Sequence, residues 1–139
     1  VGNHVSRADL FKFFMPYILK QYDKVLYIDS DTLILGDLTE LYNTDINRYY
    51  LGAVLKYTPM YSWKHIIGNL YVRLTSYEYN CGVMLLNLKK MRKDNITKKL
   101  IEAKNQDKSR ILMTQDAFNQ VIPASKIKKL SLSSKSCTK

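Results

Sequence analysis

Residues 24–33 read Lys-Val-Leu-Tyr-Ile-Asp-Ser-Asp-Thr-Leu, an apolar run that ends in two carboxylates. The β-branched and large apolar side chains at 25–28 predict a buried strand of a parallel sheet. Ligands of open α/β sheets bind outside the carboxyl ends of the strands, so Asp29 and Asp31 are expected at a ligand site. Side chains two residues apart on extended backbone point to the same side, which lets both carboxylates share one cation. Their hard oxygen atoms suit Mg²⁺ or Mn²⁺.

Helices and short apolar strands alternate through the rest of the chain. Helical spacing, with Ser6, Asp37 and Thr114 as caps, predicts helices at 10–19, 37–42, 89–104 and 115–122. Apolar runs predict further strands at 50–55, 83–88 and 127–132. Residues 57–79 are predicted to form a long loop, an excursion over the active face. The aromatic residues of the first helix, which contains Pro16, are expected in the core. This order predicts an α/β sandwich with a frayed tail at 133–139.

Composition limits the possible partners and compartment. The chain has 139 residues, 46% of them hydrophobic, which is enough for one compact domain. Its net charge of +10 favours anionic partners such as nucleic acid, nucleotide phosphates or acidic lipid. Cys81 and Cys137 lie far apart without metal-ligand spacing, which fits a reduced compartment and predicts a cytoplasmic protein.

The Asp-Ser-Asp tripeptide at 29–31 is open to four interpretations. A solvated turn is the simplest, although the preceding strand favours a ligand site. A calcium loop fails, because Leu33 and Ile34 occupy positions that need an oxygen ligand and a turn glycine. An aspartyl phosphotransferase stays a minor alternative, since Thr32 comes one residue too early and no second acidic pair follows. The fourth is a metal bridge, in which both carboxylates hold a cation and the cation holds a nucleotide diphosphate.

Residues 89–104 offer a second candidate surface. They predict a basic helix with inward-facing apolar residues at Met91, Ile96, Leu100 and Ile101. A basic binding module would use its lysines on nucleic acid or acidic lipid, whereas the simpler interpretation is a solvated helix face.

Four ordered blocks of the sequence closely resemble family 8 glycosyltransferases. They read Tyr-Asp-Lys-Val-Leu-Tyr-Ile-Asp-Ser-Asp-Thr-Leu at 22–33, Gly-Asp-Leu-Thr-Glu-Leu at 36–41, Asn-Cys-Gly-Val-Met-Leu-Leu-Asn-Leu at 80–88 and Gln-Asp-Ala-Phe-Asn at 115–119. The resemblance implies a GT-A (Rossmann-like) fold with a mixed sheet flanked by helices. It also implies a divalent metal, usually Mn²⁺, a UDP-sugar donor and transfer with retention at the anomeric carbon.

The resemblance further implies that the chain is incomplete at both ends. The family's first nucleotide-binding strand is expected before Val1, and its metal-binding His beyond Lys139. Residues 1–132 would then be a part of the catalytic domain, and this part alone is expected to bind UDP poorly.

Individual residues receive roles from the same resemblance. Asp29 and Asp31 match the metal ligands and, together with Ser30, the nucleotide-binding residues. The positions that line the donor sugar are matched by Lys12, Asn80, Cys81, Thr114 and Gln115. Gln115, placed beneath the anomeric carbon, and Asp116, which supports the site, are the catalytic candidates. Because a carboxamide lacks charge, Gln115 is a weak nucleophile, and same-face attack is favoured over a covalent intermediate.

Three positions depart from the family pattern. The family often has Arg at the position of Lys12, an acid near Lys56 and Asp at the position of Thr114. Lys12 keeps the charge but loses the bidentate fork of Arg, and the other two changes remove acids that would hydrogen-bond donor hydroxyls.

The resemblance therefore predicts a retaining hexosyltransferase of lipopolysaccharide or polysaccharide biosynthesis. It would move galactose or glucose from a UDP-sugar to a saccharide, glycolipid or glycoprotein acceptor. The sequence leaves open whether the basic face contacts an anionic membrane, and nucleic-acid binding is not expected. The alternatives are a catalytically impaired family member and a basic binding module for acidic lipid or nucleic acid.

Overall fold

The structure is a computed structural model that describes residues 7–57, 77–106, 114–131 and 137–138. Its helices are α1 (Arg7–Ile18), α2 (Thr39–Asn43), α3 (Leu88–Lys93), α4 (Ile96–Gln106) and α5 (Thr114–Val121), with a 3₁₀ turn at Ala124–Lys126. Its strands are β1 (Lys24–Ile28), β2 (Leu33–Ile34), β3 (Leu51–Tyr57), β4 (Tyr77–Asn87), β5 (Ile127–Leu130) and β6 (Cys137–Thr138). No helix in these ranges is long and apolar enough to cross a membrane.

The main sheet is mixed and has the strand order β1-β4-β3-β5. Strand β4 runs antiparallel to both of its neighbours, and among the strands in the described ranges only β3 and β5 pair in parallel. The prediction that β1 belongs to a parallel sheet is therefore wrong. An apolar run on both faces shows that a strand is covered by two layers, but it does not reveal the direction of the neighbouring strand.

Strand β4 carries the core on both of its faces. Met84 and Leu86 pack with α1 and the helices that follow β4, whereas Val83 and Leu85 pack on the opposite face with Leu41 of α2. This alternation follows from the two-residue period of extended backbone. Helices thus cover both faces of a mixed sheet, as the sequence predicts, and β4 is the central strand that its apolar run predicts.

Helix α1 contacts the sheet with only one of its faces. Phe13 and Met15 are buried, and the Phe13 ring packs edge-on against Phe118 with 5.4 Å between ring centroids. The prediction that all its aromatic residues lie in the core is wrong, because four large apolar side chains of this helix are 40–50% exposed: Phe11, Phe14, Tyr17 and Ile18. Apolar residues occur all around this helix, and one contact face cannot bury them all. The helix continues through Pro16 and ends at Ile18.

The predicted basic helix is in fact two helices. Helix α3 ends at Lys93, α4 begins at Ile96, and Asn95 between them has a positive φ of 52°. A left-handed residue ends a helix, and Asn adopts this conformation more readily than most side chains do. The inward positions are nevertheless as predicted for Met91, Ile96 and Leu100, which are all buried.

Helix starts differ slightly from the predicted caps. The Asp37 carboxylate accepts hydrogen bonds from the backbone N–H and the hydroxyl of Thr39, over 2.8 and 2.6 Å, while Leu38 occupies the cap position of α2. Both bonds lower the pKa of Asp37, and the bond from the Thr39 hydroxyl has the larger effect. Thr114 is the first residue of α5, and its side chain lies outside the described residues.

Three chain segments depart from the predicted boundaries. Strand β4 begins at Tyr77, so the end of the predicted excursion is strand, while 58–76 lie outside the described residues. Two residues of the predicted tail, Cys137 and Thr138, pair antiparallel with Leu33 and Ile34 of β2, a strand the sequence did not predict. Positions 132–136 and 139 lie outside the described residues.

Candidate active site

Asp29 lies directly after the last residue of β1. Its backbone N–H donates to the Gly82 carbonyl over 2.7 Å, and its carbonyl accepts from the Thr32 N–H over 3.1 Å. The second bond closes a turn, so the chain is no longer extended at Ser30 and Asp31. The premise that one extended segment presents both carboxylates is therefore wrong. Asp31 and Ser30 are exposed on the turn, whereas Asp29 is half-buried.

The Asp29 carboxylate is held from two sides. Its Oδ1 accepts a hydrogen bond from Tyr27 Oη over 2.7 Å and one from Lys12 Nζ over 3.0 Å. The Lys12 side chain, from α1, is only 8% exposed and also lies over the Tyr27 ring, with 4.6 Å from Nζ to the centroid. Charge-assisted bonds of this kind are the strong ones, and here they fix the carboxylate at the end of β1.

A β-bulge in β4 faces this carboxylate. Ala53 of β3 is opposite Met84, but its neighbour Val54 is opposite Asn80, so the residues from Cys81 to Val83 have no partner on β3. The Asn80 side-chain oxygen stabilises the bulge by accepting from the Gly82 N–H over 2.7 Å. Bulges re-aim side chains and are common beside active sites. Asn80 to Gly82 lie within β4 and not, as predicted, before it, because the polar and small residues that interrupt the apolar pattern there form the bulge.

Cys81 is a buried neutral thiol within this bulge. Its carbonyl accepts from Lys12 Nζ over 3.4 Å, which ties α1 to β4. Burial raises the pKa of the Cys81 thiol to about 12, with Asp29 and Asp116 adding to the shift and Lys12 opposing it. Since the thiolate is the reactive form, this thiol lines the site and is no nucleophile at neutral pH.

Helix α5 is attached to the same region of β4 through Asn119. The Asn119 side chain accepts from the Tyr79 N–H over 3.1 Å and donates to the Tyr79 carbonyl over 3.2 Å. It also donates to the Gln115 carbonyl over 2.9 Å, one helical turn earlier. These bonds fix the first turn of α5, which carries Gln115 and Asp116, and the charge of Asp116 acts on Cys81.

The fold thus joins most of the residues that the sequence assigned to the site. Lys12 contacts both Asp29 and Cys81, Asn80 shapes the bulge beside them, and Asp116 acts on Cys81 through its charge. The role of Thr114 stays a prediction, since its side chain is not described.

Two residues were missed by the sequence analysis. Tyr27 is on the predicted strand two positions before Asp29, and side chains two apart on extended backbone share a face, so this spacing could have indicated their contact. Asn119 follows Gln115 by four positions on a helix, which places both on one face.

The residues present fit a divalent cation that also binds a diphosphate. Asp29 and Asp31 supply hard oxygen atoms, and the hydroxyl of Thr32, in the same turn, is buried without a hydrogen-bond partner among the described residues. Within the described ranges, no group of three His, Cys, Asp or Glu side chains can hold a metal ion. Mg²⁺ sites commonly use one or two carboxylates and complete their coordination with water and substrate phosphates, so two aspartates are a sufficient protein contribution.

Comparison with known proteins decides the family. The model of the glycosyl transferase family 8 matches residues 2–132. The chain belongs to glycosyl transferase family 8. A relative in Haemophilus influenzae, described as a putative glycosyltransferase, is 35% identical over 107 residues, which cover 74% of this chain and 31% of the relative. General stress protein A of Bacillus subtilis is 29% identical over 127 residues, which cover 87% of this chain and 43% of that protein.

Solved structures place the family 8 chain in the GT-A fold. The galactosyltransferase LgtC, crystallised with donor and acceptor sugar analogues, superposes with a TM-score of 0.73 at 30% identity, over 91% of this chain and 45% of that one. The glycosyltransferase GlyE of Streptococcus pneumoniae superposes with a TM-score of 0.66 at 27% identity, over 88% of this chain and 27% of that one. The chain therefore spans less than half the length of these relatives.

Proposed function

We propose that this chain is the central part of a metal-dependent, retaining hexosyltransferase. It would move galactose or glucose from a UDP-sugar to a saccharide or glycolipid acceptor, in the synthesis of lipopolysaccharide or polysaccharide. The proposal rests on one observation: residues from α1, β1 and β4 converge around Asp29, and Asp116 of α5 acts through its charge on the neighbouring Cys81. The crystal structure of LgtC with donor and acceptor sugar analogues supports this assignment.

The chemistry of the site follows from its charges. A bound Mn²⁺ or Mg²⁺ would stabilise the negative charge that forms on UDP when the bond between sugar and phosphate breaks. Asp29 and Asp31 would hold that cation. Lys12 compensates the charge of Asp29 inside the protein, at 3.0 Å from its carboxylate. The Lys12 ammonium therefore holds Asp29, and a contact of Lys12 with the donor sugar stays a prediction.

Retention requires a nucleophile of the protein or attack by the acceptor from the leaving-group face. The neutral Cys81 thiol, with a pKa of about 12, does not supply a nucleophile. The carboxamide of Gln115 is also a poor one. We therefore favour same-face attack, with Gln115 positioning the donor and Asp116 supporting the first turn of α5.

The test uses the full-length protein and a screen of UDP-galactose and UDP-glucose. We expect transfer or hydrolysis only with Mn²⁺ or Mg²⁺. The Asp31→Ala variant is expected to lower turnover at least about a hundredfold, because the loss of one electrostatic contact to the transition state has an effect of this size. Asp45→Ala is a matched control, because Asp45 is exposed and accepts a local bond from the Asn47 N–H over 2.9 Å.

Metal-independent turnover, or full activity of Asp31→Ala, would contradict this function. A folded full-length protein that binds no UDP-sugar would instead support the impaired family member.

We also propose that the protein works in the cytoplasm and contacts anionic membranes through its basic face. This surface consists of exposed lysines on α3 and α4: Lys89, Lys93, Lys98 and Lys99. Polybasic surfaces gain about 1 kcal/mol per lysine near an anionic lipid surface. We expect cosedimentation with phosphatidylglycerol vesicles that is lost at high salt, and none with phosphatidylcholine. Equal binding to both vesicles, or to neither, would rule this contact out.

A further inference from the structure

Tyr27 makes a polar contact that packing of its ring does not explain. Tyr27 is on β1, two residues before Asp29, and its hydroxyl donates to Asp29 Oδ1 over 2.7 Å. Lys12 donates to the same oxygen over 3.0 Å from a different element, α1. Two donors from two directions on one carboxylate oxygen restrict the rotation of the carboxylate.

The ring and the hydroxyl of Tyr27 have separable roles. The ring is partly buried, packs against the core cluster and lies beneath the Lys12 ammonium at 4.6 Å. Any large aromatic ring fills that space and attracts the cation. Only the hydroxyl reaches Asp29, so packing accounts for an aromatic residue at this position but not for the phenol oxygen.

Lys12 does not replace that hydroxyl. Its ammonium is shared between Asp29 and the Cys81 carbonyl, at 3.0 and 3.4 Å. Its position therefore follows the bulge of β4 as well as the carboxylate. Tyr27 is the donor from the same chain segment, on β1 only two residues before Asp29, so its position relative to Asp29 does not depend on how α1 packs.

We propose that Tyr27 is a positioning residue, whose hydroxyl holds Asp29 in the orientation that binds the divalent cation of the nucleotide complex. The proposal rests on the proposed function, because that function makes Asp29 a cation ligand. Hydrogen-bond partners of metal-binding carboxylates orient the ligand, and the loss of one such partner typically weakens metal binding about 10- to 100-fold.

The experiment measures Mn²⁺ binding by the full-length protein in saturating UDP, with free Mn²⁺ read from its electron paramagnetic resonance signal. We expect the Tyr27→Phe variant to raise the Kd for Mn²⁺ about tenfold, with the ring and the fold retained. Tyr50→Phe is the matched control, because the Tyr50 hydroxyl makes a similar bond to a carboxylate, 2.8 Å to Asp94, away from Asp29. Its Kd is expected to equal that of the wild-type protein.

Each result decides between the two proposals. Absence of Mn²⁺ binding by the wild-type protein with UDP overturns the proposed function and the role of Tyr27 with it. Binding by the wild type with an unchanged Kd in Tyr27→Phe overturns the role of Tyr27 alone.

Circular dichroism at the assay temperature shows that each variant is folded. A second variant, Tyr27→Leu, also lacks the hydroxyl and is expected to lose at least as much affinity. If Tyr27→Leu loses affinity and Tyr27→Phe does not, the ring acts and the proposal is wrong.

Discussion

Two trios of lysine, tyrosine and aspartate in this molecule have the same chemistry and different surroundings. In the site trio, formed by Lys12, Tyr27 and Asp29, the ammonium and the hydroxyl lie 3.0 and 2.7 Å from one carboxylate oxygen. The ammonium also lies over the ring, 4.6 Å from its centroid. The lysine and aspartate side chains are only 8% and 24% exposed.

The surface trio is formed by Tyr50, Lys90 and Asp94. Its hydroxyl lies 2.8 Å from the carboxylate, but the ion pair is longer, at 3.6 Å, and the ammonium is 5.2 Å from the ring centroid. Lys90 and Asp94 are four positions apart at the end of one helix, with side chains 28% and 30% exposed. Local chain geometry brings this pair together, whereas Lys12 and Asp29 come from different elements.

The difference shows that the burial of an ion pair determines how much the loss of one partner costs. The two carboxylates are similarly exposed, at 24% and 30%, and the difference lies in the lysines, at 8% and 28%. Water can partly replace the more exposed Lys90, so its loss is expected to cost little. Loss of Lys12 leaves a half-buried carboxylate without its buried counter-charge, so the site trio is expected to hold its carboxylate more firmly.

The largest expected effect comes from removal of each lysine. We expect Lys12→Met to lower the free energy of unfolding by about 2 kcal/mol. This loss is smaller than for a fully buried pair, because Asp29 is partly exposed and keeps its hydrogen bond from Tyr27. Lys90→Met is expected to cause no measurable change. Urea unfolding of the full-length protein measures both, and equal losses at the two positions would contradict the contrast in burial.

A double-mutant cycle isolates the pair itself. With Lys12→Met and Asp29→Asn combined, we expect a coupling free energy of about 1 kcal/mol, because each single variant strands the other partner. Additive single effects at this pair would show that Lys12 stabilises the protein through its packing rather than its charge.

The smallest expected effect is on the pKa of Asp94. The hydrogen bond from Tyr50 is the main cause that lowers this pKa, so Tyr50→Phe is expected to raise it toward the ordinary value of 3.8. A lowered pKa in the folded state contributes stability above the unfolded pKa, and this contribution is lost as the pH falls through the folded pKa. The destabilisation of Tyr50→Phe is therefore expected to disappear in acid. Carboxyl ¹³C chemical shifts measure the pKa, and an identical titration in the variant would be inconsistent with the role of the hydroxyl.

Much of the sheet could be predicted from the sequence. The apolar run at 25–28 lies in β1, and of the predicted strand 83–88 all but Leu88, which begins α3, lie in β4. Such runs identify a strand because both of its faces must be covered. The direction of pairing could not be predicted, because apolar side chains do not distinguish a parallel from an antiparallel neighbour.

The candidate site was predictable in its residue types and less so in its geometry. The Asp-Ser-Asp tripeptide and the Asn80 to Gly82 block both lie at the end of β1 that the sequence indicated. The turn after Asp29 and the bulge in β4 were not predicted. The bulge is a change of register against β3, a segment distant in the sequence, and the turn starts where the Asp29 N–H bonds to the Gly82 carbonyl of β4, although a local bond from Thr32 closes it.

The sequence by itself therefore determined the four strands of the main sheet and the family through its four ordered blocks, whereas β1, predicted to be buried, is half-buried along its length. Only the tertiary structure decided that Lys12 is buried against Asp29, that the Tyr27 hydroxyl holds the same oxygen, and that Cys81 is a neutral thiol. Local patterns record burial and backbone preference within one segment. The contacts among residues 12, 29 and 81 depend on how α1, β1 and β4 pack together, which no single segment encodes.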